Sequence, residues 1–396
     1  MPRPASLRVV PELRAVHVER HRRGTPAELL YLRAKYDLAG TPLLPGIEKA
    51  TLASVLRRFA STEATVLEVP EPLWMRFWPR HVALVAGFRL AGLLRRRPHE
   101  VCTYAMENNA VDVLVRGDGR APAILVPVVA ALVGAVARLG LDRICYASPS
   151  ARDAYARLPF VSRIPSALRL ELPEATGDPR PAEPLRAVFL GVLEERKGIR
   201  QLMRAWPRVE QAVPGARLDV VGSGPLAGEV ADWAAGSGAS RGVLGRLAHA
   251  DAQAAVADAA VLVAPSVPEG RWIEQIGLPI KEGLAAGATI VTTRQTGLAD
   301  WLDEHGHHVV EVDDLTALPE RLAAAIESAL RSPLPRDEVR RSLPDRDGRL
   351  AADAWLHVEA RRHVEVGQHV EAGQHVEAWQ HVEAWQHVEA GQGAAS

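Results

Sequence analysis

An excess of charge of either sign is what this sequence lacks. Its 396 residues carry 47 Lys and Arg against 48 Asp and Glu, a formal net charge of −1. That balance gives no electrostatic case for nucleic acid or an acidic polymer as partner, so any cationic function has to be local. Cysteine is scarce as well: Cys102 and Cys145 stand far apart and outside any Cys-x-x-Cys arrangement. In apolar surroundings they read as reduced core residues of a cytoplasmic protein. The opening Met-Pro-Arg-Pro-Ala-Ser lacks the apolar core of a signal peptide. The apolar run Ala121 to Ala137 falls short of the ~20 residues that a spanning helix needs. Pro122 and Pro127 interrupt its start, and it predicts a buried helix of an α/β domain. Two short basic stretches, Arg57-Arg58 and Arg95-Arg96-Arg97, read as solvated helix ends or as a peripheral contact with the inner membrane surface.

The length predicts two domains and an appendage. Between residues 185 and 331 strand and helix alternate. Ala187 to Gly191, Arg217 to Gly222, Val261 to Pro265 and Ala288 to Thr293 are apolar, β-branched runs, the pattern of strands buried on both faces. Ile199, Leu202, Met203 and Trp206 follow the spacing of one buried helical stripe, and a second helix is expected near Leu318 to Leu330. This alternation predicts a parallel, doubly wound sheet. In the first 170 residues, Leu7–Val10, Thr65–Val69, Glu100–Tyr104 and Arg143–Ala147 are strand candidates. The reading is therefore α/β with two Rossmann-like, doubly wound domains, residues 1–171 and 185–345, joined by a proline-rich linker at 172–184. Residues 346–396 form an irregular low-complexity extension. Within it a six-residue His-Val-Glu repeat starts at His357, His363, His369, His375, His381 and His387. Such regular His and Glu spacing suits a divalent metal, but an extension without a specific role is the preferred reading.

Chemistry concentrates in glycine turns at the ends of the predicted strands. Gly191-Val-Leu-Glu-Glu-Arg-Lys-Gly198 opens a helix, so Arg196 and Lys197 add two cations to the anion-attracting end of its dipole. Gly222 and Gly224 lie in Val221-Gly-Ser-Gly-Pro-Leu226, and Gly245-Arg246-Leu247 follows a third strand. Ligands bind such sheets at the carboxyl ends of the strands, so these turns should share one crevice with Ala264-Pro-Ser266. Glu274-Gln-Ile-Gly-Leu-Pro-Ile-Lys-Glu282 sets two carboxylates around a Gly-Leu-Pro turn before a small-residue helix. That turn aims backbone N–H groups at a phosphate or sugar oxygen while the carboxylates grip hydroxyls.

In order and spacing, these motifs resemble the donor domain of GT-B glycosyltransferases of the retaining GT4 type, over residues 185–315. Gln295-Thr-Gly-Leu-Ala-Asp300 is similar to that family's later Gly-Gly-x-x-Glu segment. The resemblance implies two domains facing across a cleft and a nucleotide-diphosphate sugar as co-substrate, with no further cofactor and no metal. It gives Arg196 and Lys197 the donor diphosphate, Glu274 the transferred sugar and Glu282 the ribose. Gly191, Gly222, Gly224 and Ser266 would line the donor site, and Arg246 and Leu247 would face the base. The N–H groups of Gln275, Ile276, Gly277 and Leu278 would face the diphosphate and sugar. On the acceptor side the candidates are Glu107, as a carboxylate facing the transferred sugar, and Asn108, as a hydrogen-bonding partner; an N-cap and turn closing the strand is the rival reading there.

The chain also departs from that family. Val192 stands where many members have Arg, Gln275 replaces a frequent Gly, and Asp300 replaces a usual Glu. No Gly-rich loop follows the first strand; Arg22-Arg23-Gly24-Thr25, with Gly24, is the nearest candidate. The expected activity is retaining, metal-independent sugar transfer to a hydroxyl of a saccharide, lipid-linked or small-molecule acceptor. A GT-B phosphorylase or epimerase, and a degenerate protein that binds a nucleotide sugar or a partner without turnover, stay open.

Overall fold

The computed structural model describes residues 5–35, 38, 43–116, 122–175, 181–236 and 238–357. Contacts divide the chain into two units: Met1–Pro70, Ala83–Cys102 and Asp353–Ser396 in the first, Glu71–Val82 and Thr103–Ala352 in the second. The first unit contains strands β1 (Ser6–Leu13), β2 (Glu28–Ala34), β3 (Ile47–Lys49), β4 (Val66–Glu68) and the start of β5 (Glu100–Ala105). They run parallel in the order β3-β2-β1-β4-β5. Leu7, Leu13, Leu29, Val66 and Leu67 are buried between strand and helix, and Phe59 meets Phe88 edge-on with ring centroids 5.2 Å apart. Thr51 caps the helix Leu52–Phe59 by accepting the Ser54 N–H at 3.2 Å. That bond supplies an orphan donor of the first turn.

The last residues of β5 belong to the second unit and are followed in the sheet by β6 (Arg143–Tyr146) and β7 (Ser166–Leu168). The second unit also holds a six-stranded parallel sheet of β8 (Glu183–Leu190), β9 (Arg217–Val221), β10 (Arg241–Gly245), β11 (Ala259–Ala264), β12 (Thr289–Thr293) and β13 (His308–Val310). Its order is β10-β9-β8-β11-β12-β13. β12 is buried at every residue and β11 at every residue but the last, as the continuous apolar runs require. The helix Ile199–Ala212 lays Ile199, Leu202, Met203 and Trp206 against the sheet, where Leu322 and Ile326 of the helix Leu318–Arg331 join them. Both cysteines are buried and unbonded to one another.

Two expectations change. The run expected as a buried helix forms the helix Leu125–Gly140, but only its small-residue side, Ala130, Val133, Gly134 and Ala137, is buried. Leu125, Val128, Leu132 and Leu139 are exposed. At Gly134 a Cβ would stand 2.1 Å from the Pro159 oxygen, so close backbone approach selects the face. The second change concerns the extension, which begins later than residue 346. Residues 348–356 form a helix, and the first repeat histidine, His357, is fully buried. The later repeats lie outside the described residues.

His357 belongs to a buried charged cluster of the first unit. Its Nε2 lies 2.9 Å from Glu68 Oε2 and its Nδ1 2.9 Å from Ser6 Oγ. Arg20 grips Glu68 with two bonds of 2.7 Å and reaches Asp353 at 2.9 Å, while Arg8 also pairs with Asp353. Against the cost of burial, the guanidinium groups hold Glu68 well below the usual carboxylate range and Asp353 at about 2. Glu68, Asp353 and His357 bring ligand-type atoms within 4.8 Å of one another. Arg8 and Arg20 already supply the cations there, so the cluster is a salt-bridge network rather than a metal centre.

Candidate functional site

The site forms at the carboxyl ends of strands in the second unit. Gly191 follows β8 and donates its N–H to the Val221 oxygen at 3.0 Å; Gly222 donates to the Gly245 oxygen at 2.8 Å. The ladder therefore carries the three glycine turns onto one sheet edge. Gly222 has φ +147°, and a Cβ there would stand 1.8 Å from the Gly191 oxygen. A Cβ on Gly224 would stand 2.6 Å from the Leu193 oxygen. Close approach between the turns themselves requires both glycines.

The cations come from a short turn, Glu195–Lys197, closed by Gly198 at φ +71°. Val267 donates its N–H to the Arg196 oxygen at 2.9 Å, which fastens this turn to the exit of β11. Lys197 Nζ pairs directly with Glu274 Oε2, and Ser266 Oγ reaches the same oxygen at 3.4 Å. Arg196 Nε donates to Glu194 Oε2 at 2.6 Å. The Trp272 ring lies over both cations, 4.4 Å from the Arg196 guanidinium carbon and 5.0 Å from Lys197 Nζ.

The carboxylate loop is held from below. Gly297 donates its N–H to the Gln275 oxygen at 2.9 Å, and Thr296 Oγ1 donates to the Ile276 oxygen at 2.6 Å. Gly277, at φ +91°, then opens the helix Leu278–Ala286 with Pro279 in its first turn. Glu282 sits one turn further, half-buried, without a hydrogen-bond partner among the described residues. Burial pushes its carboxyl above the ordinary range, and His249 acts in the opposite direction. A cavity of about 20 Å³ is lined by Lys197, Ser266, Glu274, Gly277 and Gln295 among others. Arg246 is exposed and Leu247 half-buried beyond Gly245, and neither lines that cavity.

The acceptor-side candidates follow β5. Glu107 is buried, and its Oε1 accepts from the Asn109 backbone at 3.0 Å and side chain at 2.8 Å. Asn108 has a role that sequence reasoning did not assign. Its Nδ2 donates to the Glu274 and Gln275 oxygens at 3.3 and 3.1 Å, and its Oδ1 accepts from Ser148 Oγ at 3.2 Å. Asn109 likewise donates to the Arg271 oxygen at 3.0 Å. Beneath them Glu71 accepts the Met106 and Glu107 N–H groups and the Tyr155 hydroxyl at 3.0 to 3.1 Å. Burial first, and Glu107 second, push its carboxyl up to about 8. Gly24 lies in the first unit, where a Cβ would meet the Arg20 oxygen at 2.6 Å and Asp353 at 2.9 Å. Trp272 and Ser148 lie outside the sequence motifs, and Glu194, inside the Gly191–Gly198 turn, and Asn109, beside Asn108, carried no assigned role; the signal at Trp272 was an aromatic two residues before Glu274.

Two parallel α/β sheets define the fold class, which is GT-B. One of them carries a cation pair, a paired carboxylate and a helix N-terminus at its carboxyl edge. Residues 184–332 match the family model described as Glycosyl transferases group 1. Glycogen synthase of Mycobacterium tuberculosis is 32% identical over 208 residues, covering 50% of this chain and 42% of that protein. Phosphatidyl-myo-inositol mannosyltransferase of the same organism is 31% identical over 165 residues, 41% of each. The chain thus spans less than half the length of these curated relatives. Among solved structures, Anabaena HepE in complex with UDP aligns with a TM-score of 0.58 at 11% identity, over 92% of this chain and 99% of that one. Sucrose-phosphate synthase from Thermosynechococcus elongatus aligns with a TM-score of 0.57 at 16% identity, over 94% and 100%. Residues 184–332 are thus similar to the glycosyl transferases group 1 family, and the two sheets share the fold of these solved structures.

Proposed function

We propose that the chain transfers a sugar from a nucleotide-diphosphate sugar to an acceptor hydroxyl, with retention of anomeric configuration and without a metal. The observation that carries this reading is the Lys197–Glu274 pair beside Ser266, at the N-terminus of the helix that bears Glu282. Cleavage of a sugar–diphosphate bond is limited by charge building on the leaving oxygens. Preorganised cations and a helix N-terminus stabilise that charge. Lys197 and Arg196 supply two positive charges, which is why no divalent ion is required. Glu274 would then hold a sugar hydroxyl and Glu282, unbonded otherwise, the ribose. Glu107 would face the transferred sugar from the acceptor side, held by Asn109.

UDP-sugars are the first donors to try, since solved neighbours of this fold were obtained with UDP and UDP-glucose. The names of the two mycobacterial relatives make a saccharide or a lipid-linked headgroup the acceptor classes to test. The purified chain is incubated with each donor and acceptor, and the product is read by mass and by its anomeric NMR coupling. A glycoside with the donor's configuration, formed undiminished in EDTA, supports the reading. An inverted product or dependence on a divalent ion overturns retention or metal independence respectively.

A peripheral membrane contact belongs to the same reading. The outward Leu125, Val128, Leu132 and Leu139 of one helix give a lipid surface an apolar strip to receive. Among the described residues, no helix is long and apolar enough to cross a membrane. Co-sedimentation with anionic vesicles, lost in Leu132→Glu, is the expected result; equal sedimentation of both proteins counts against the contact.

A further inference from the structure

We infer that Trp272 is a positioning residue of the donor site, which together with Glu194 fixes Arg196 so that its terminal nitrogens face a diphosphate. The inference rests on the donor-site reading above. A guanidinium offers its faces to aromatic rings and its edges to oxyanions. Here the Arg196 guanidinium carbon lies over the Trp272 ring, 4.4 Å from its centre, and its Nε is bound by Glu194 at 2.6 Å. Among the described residues its two terminal nitrogens have no hydrogen-bond partner. They form the remaining edge, and that edge is the bidentate one for phosphate oxygens.

Trp272 is itself held. It closes a tight turn with Glu269, exchanging backbone bonds of 2.9 and 3.3 Å, and Gly270 takes φ +58° between them. Asn109 donates to the Arg271 oxygen within that turn, and the Arg271 guanidinium donates to the Leu114 oxygen at 3.2 Å. The same ring lies 5.0 Å from Lys197 Nζ, whose other contact is Glu274. An ammonium has three donors, so Lys197 can keep Glu274 and still meet a phosphate. One ring thereby orders both cations of the site without using any of their N–H groups.

The test is calorimetry with UDP, ADP and GDP, each set against its nucleoside, on wild type, Trp272→Ala and Trp272→Phe. The nucleoside reads the base and ribose contacts, and the diphosphate adds the cations. Trp272→Ala is expected to weaken the bound diphosphate about 10-fold, the scale of a partly desolvated cation–π contact, with nucleoside affinity unchanged. Trp272→Phe, which keeps a ring face, should stay within about threefold of wild type. In turnover, the Ala variant should raise the donor KM and also lower kcat, because the same cations stabilise the leaving diphosphate. An Ala variant that binds the diphosphate like wild type overturns the assignment, as does an equal loss of nucleoside affinity. If wild type binds none of the three diphosphates, the donor-site reading itself fails and takes this inference with it.

Discussion

Lys197 pairs with Glu274 and Arg196 with Glu194, and each cation keeps N–H donors to spare. Losing one preorganised contact to the leaving group costs on the order of 100-fold in rate. Lys197→Ala and Glu282→Ala should each lower turnover by at least that much, measured as initial rate at saturating acceptor. Near-normal turnover by the purified Lys197→Ala protein would remove it from the site. Glu71 makes a prediction about pH. Its carboxyl is raised from 4.5 to about 8, so the folded chain keeps a proton that the unfolded chain has released between those values. Stability contributed by that proton is present below about pH 4.5 and is lost as pH rises towards 8. Glu71→Gln cannot titrate, so its urea stability should fall less over that window, by on the order of 5 kcal/mol relative to wild type. Parallel stability curves for the two proteins would contradict the raised carboxyl.

Strands and turns were the most legible elements, and the reason is physical. A strand covered on both faces has to be apolar throughout, so β8, β9, β11 and β12 stand out as runs, each within a few residues of its observed bounds. β2, β3, β7 and β13 were missed: β2 ends in exposed residues, and the other three are three residues long. The helix Leu125–Gly140 was legible as a helix but misread in burial. Its composition is apolar all round, and only contact with Pro159 decides which side is covered. The donor turns were legible because glycine is irreplaceable in them. Gly222→Ala places a Cβ against the Gly191 oxygen at a φ that a side chain rarely adopts. It should destabilise the protein by at least about 1–3 kcal/mol, read as a lowered Tm. An unchanged Tm would mean that the two turns do not approach as described. Much of the site's support was not legible: Ser148, which donates to the Asn108 side chain, and Trp272, whose ring lies by Arg196, act across long sequence separations, and nothing in the motifs signalled that Asn108 and Thr296 bond the backbone oxygens of Glu274, Gln275 and Ile276.

For the whole chain, Asp353 to His357 return to the first unit, and their charges are what the cluster there depends on. Asp353 accepts from Arg8, Arg20 and the Thr25 N–H. Removing it leaves two buried guanidinium groups undercompensated, so Asp353→Ala should cost about 3–5 kcal/mol in chemical denaturation. Because its carboxyl is held at about 2, the stability it gives is present above about pH 3.8 and lost as pH falls towards 2. That acid limb should be missing from the variant. The central claim concerns the second unit, where the stretch similar to the glycosyl transferases group 1 family and the Lys197–Glu274 pair lie together. Its most direct measurement follows nucleoside diphosphate release and glycoside formation together, for wild type and Lys197→Ala, across UDP-, GDP- and ADP-sugars with saccharide and lipid-linked acceptors. Equal amounts of the two products from wild type, and about 100-fold less from the variant, are predicted. A nucleotide sugar that binds wild type while no glycoside forms with any acceptor would contradict the account.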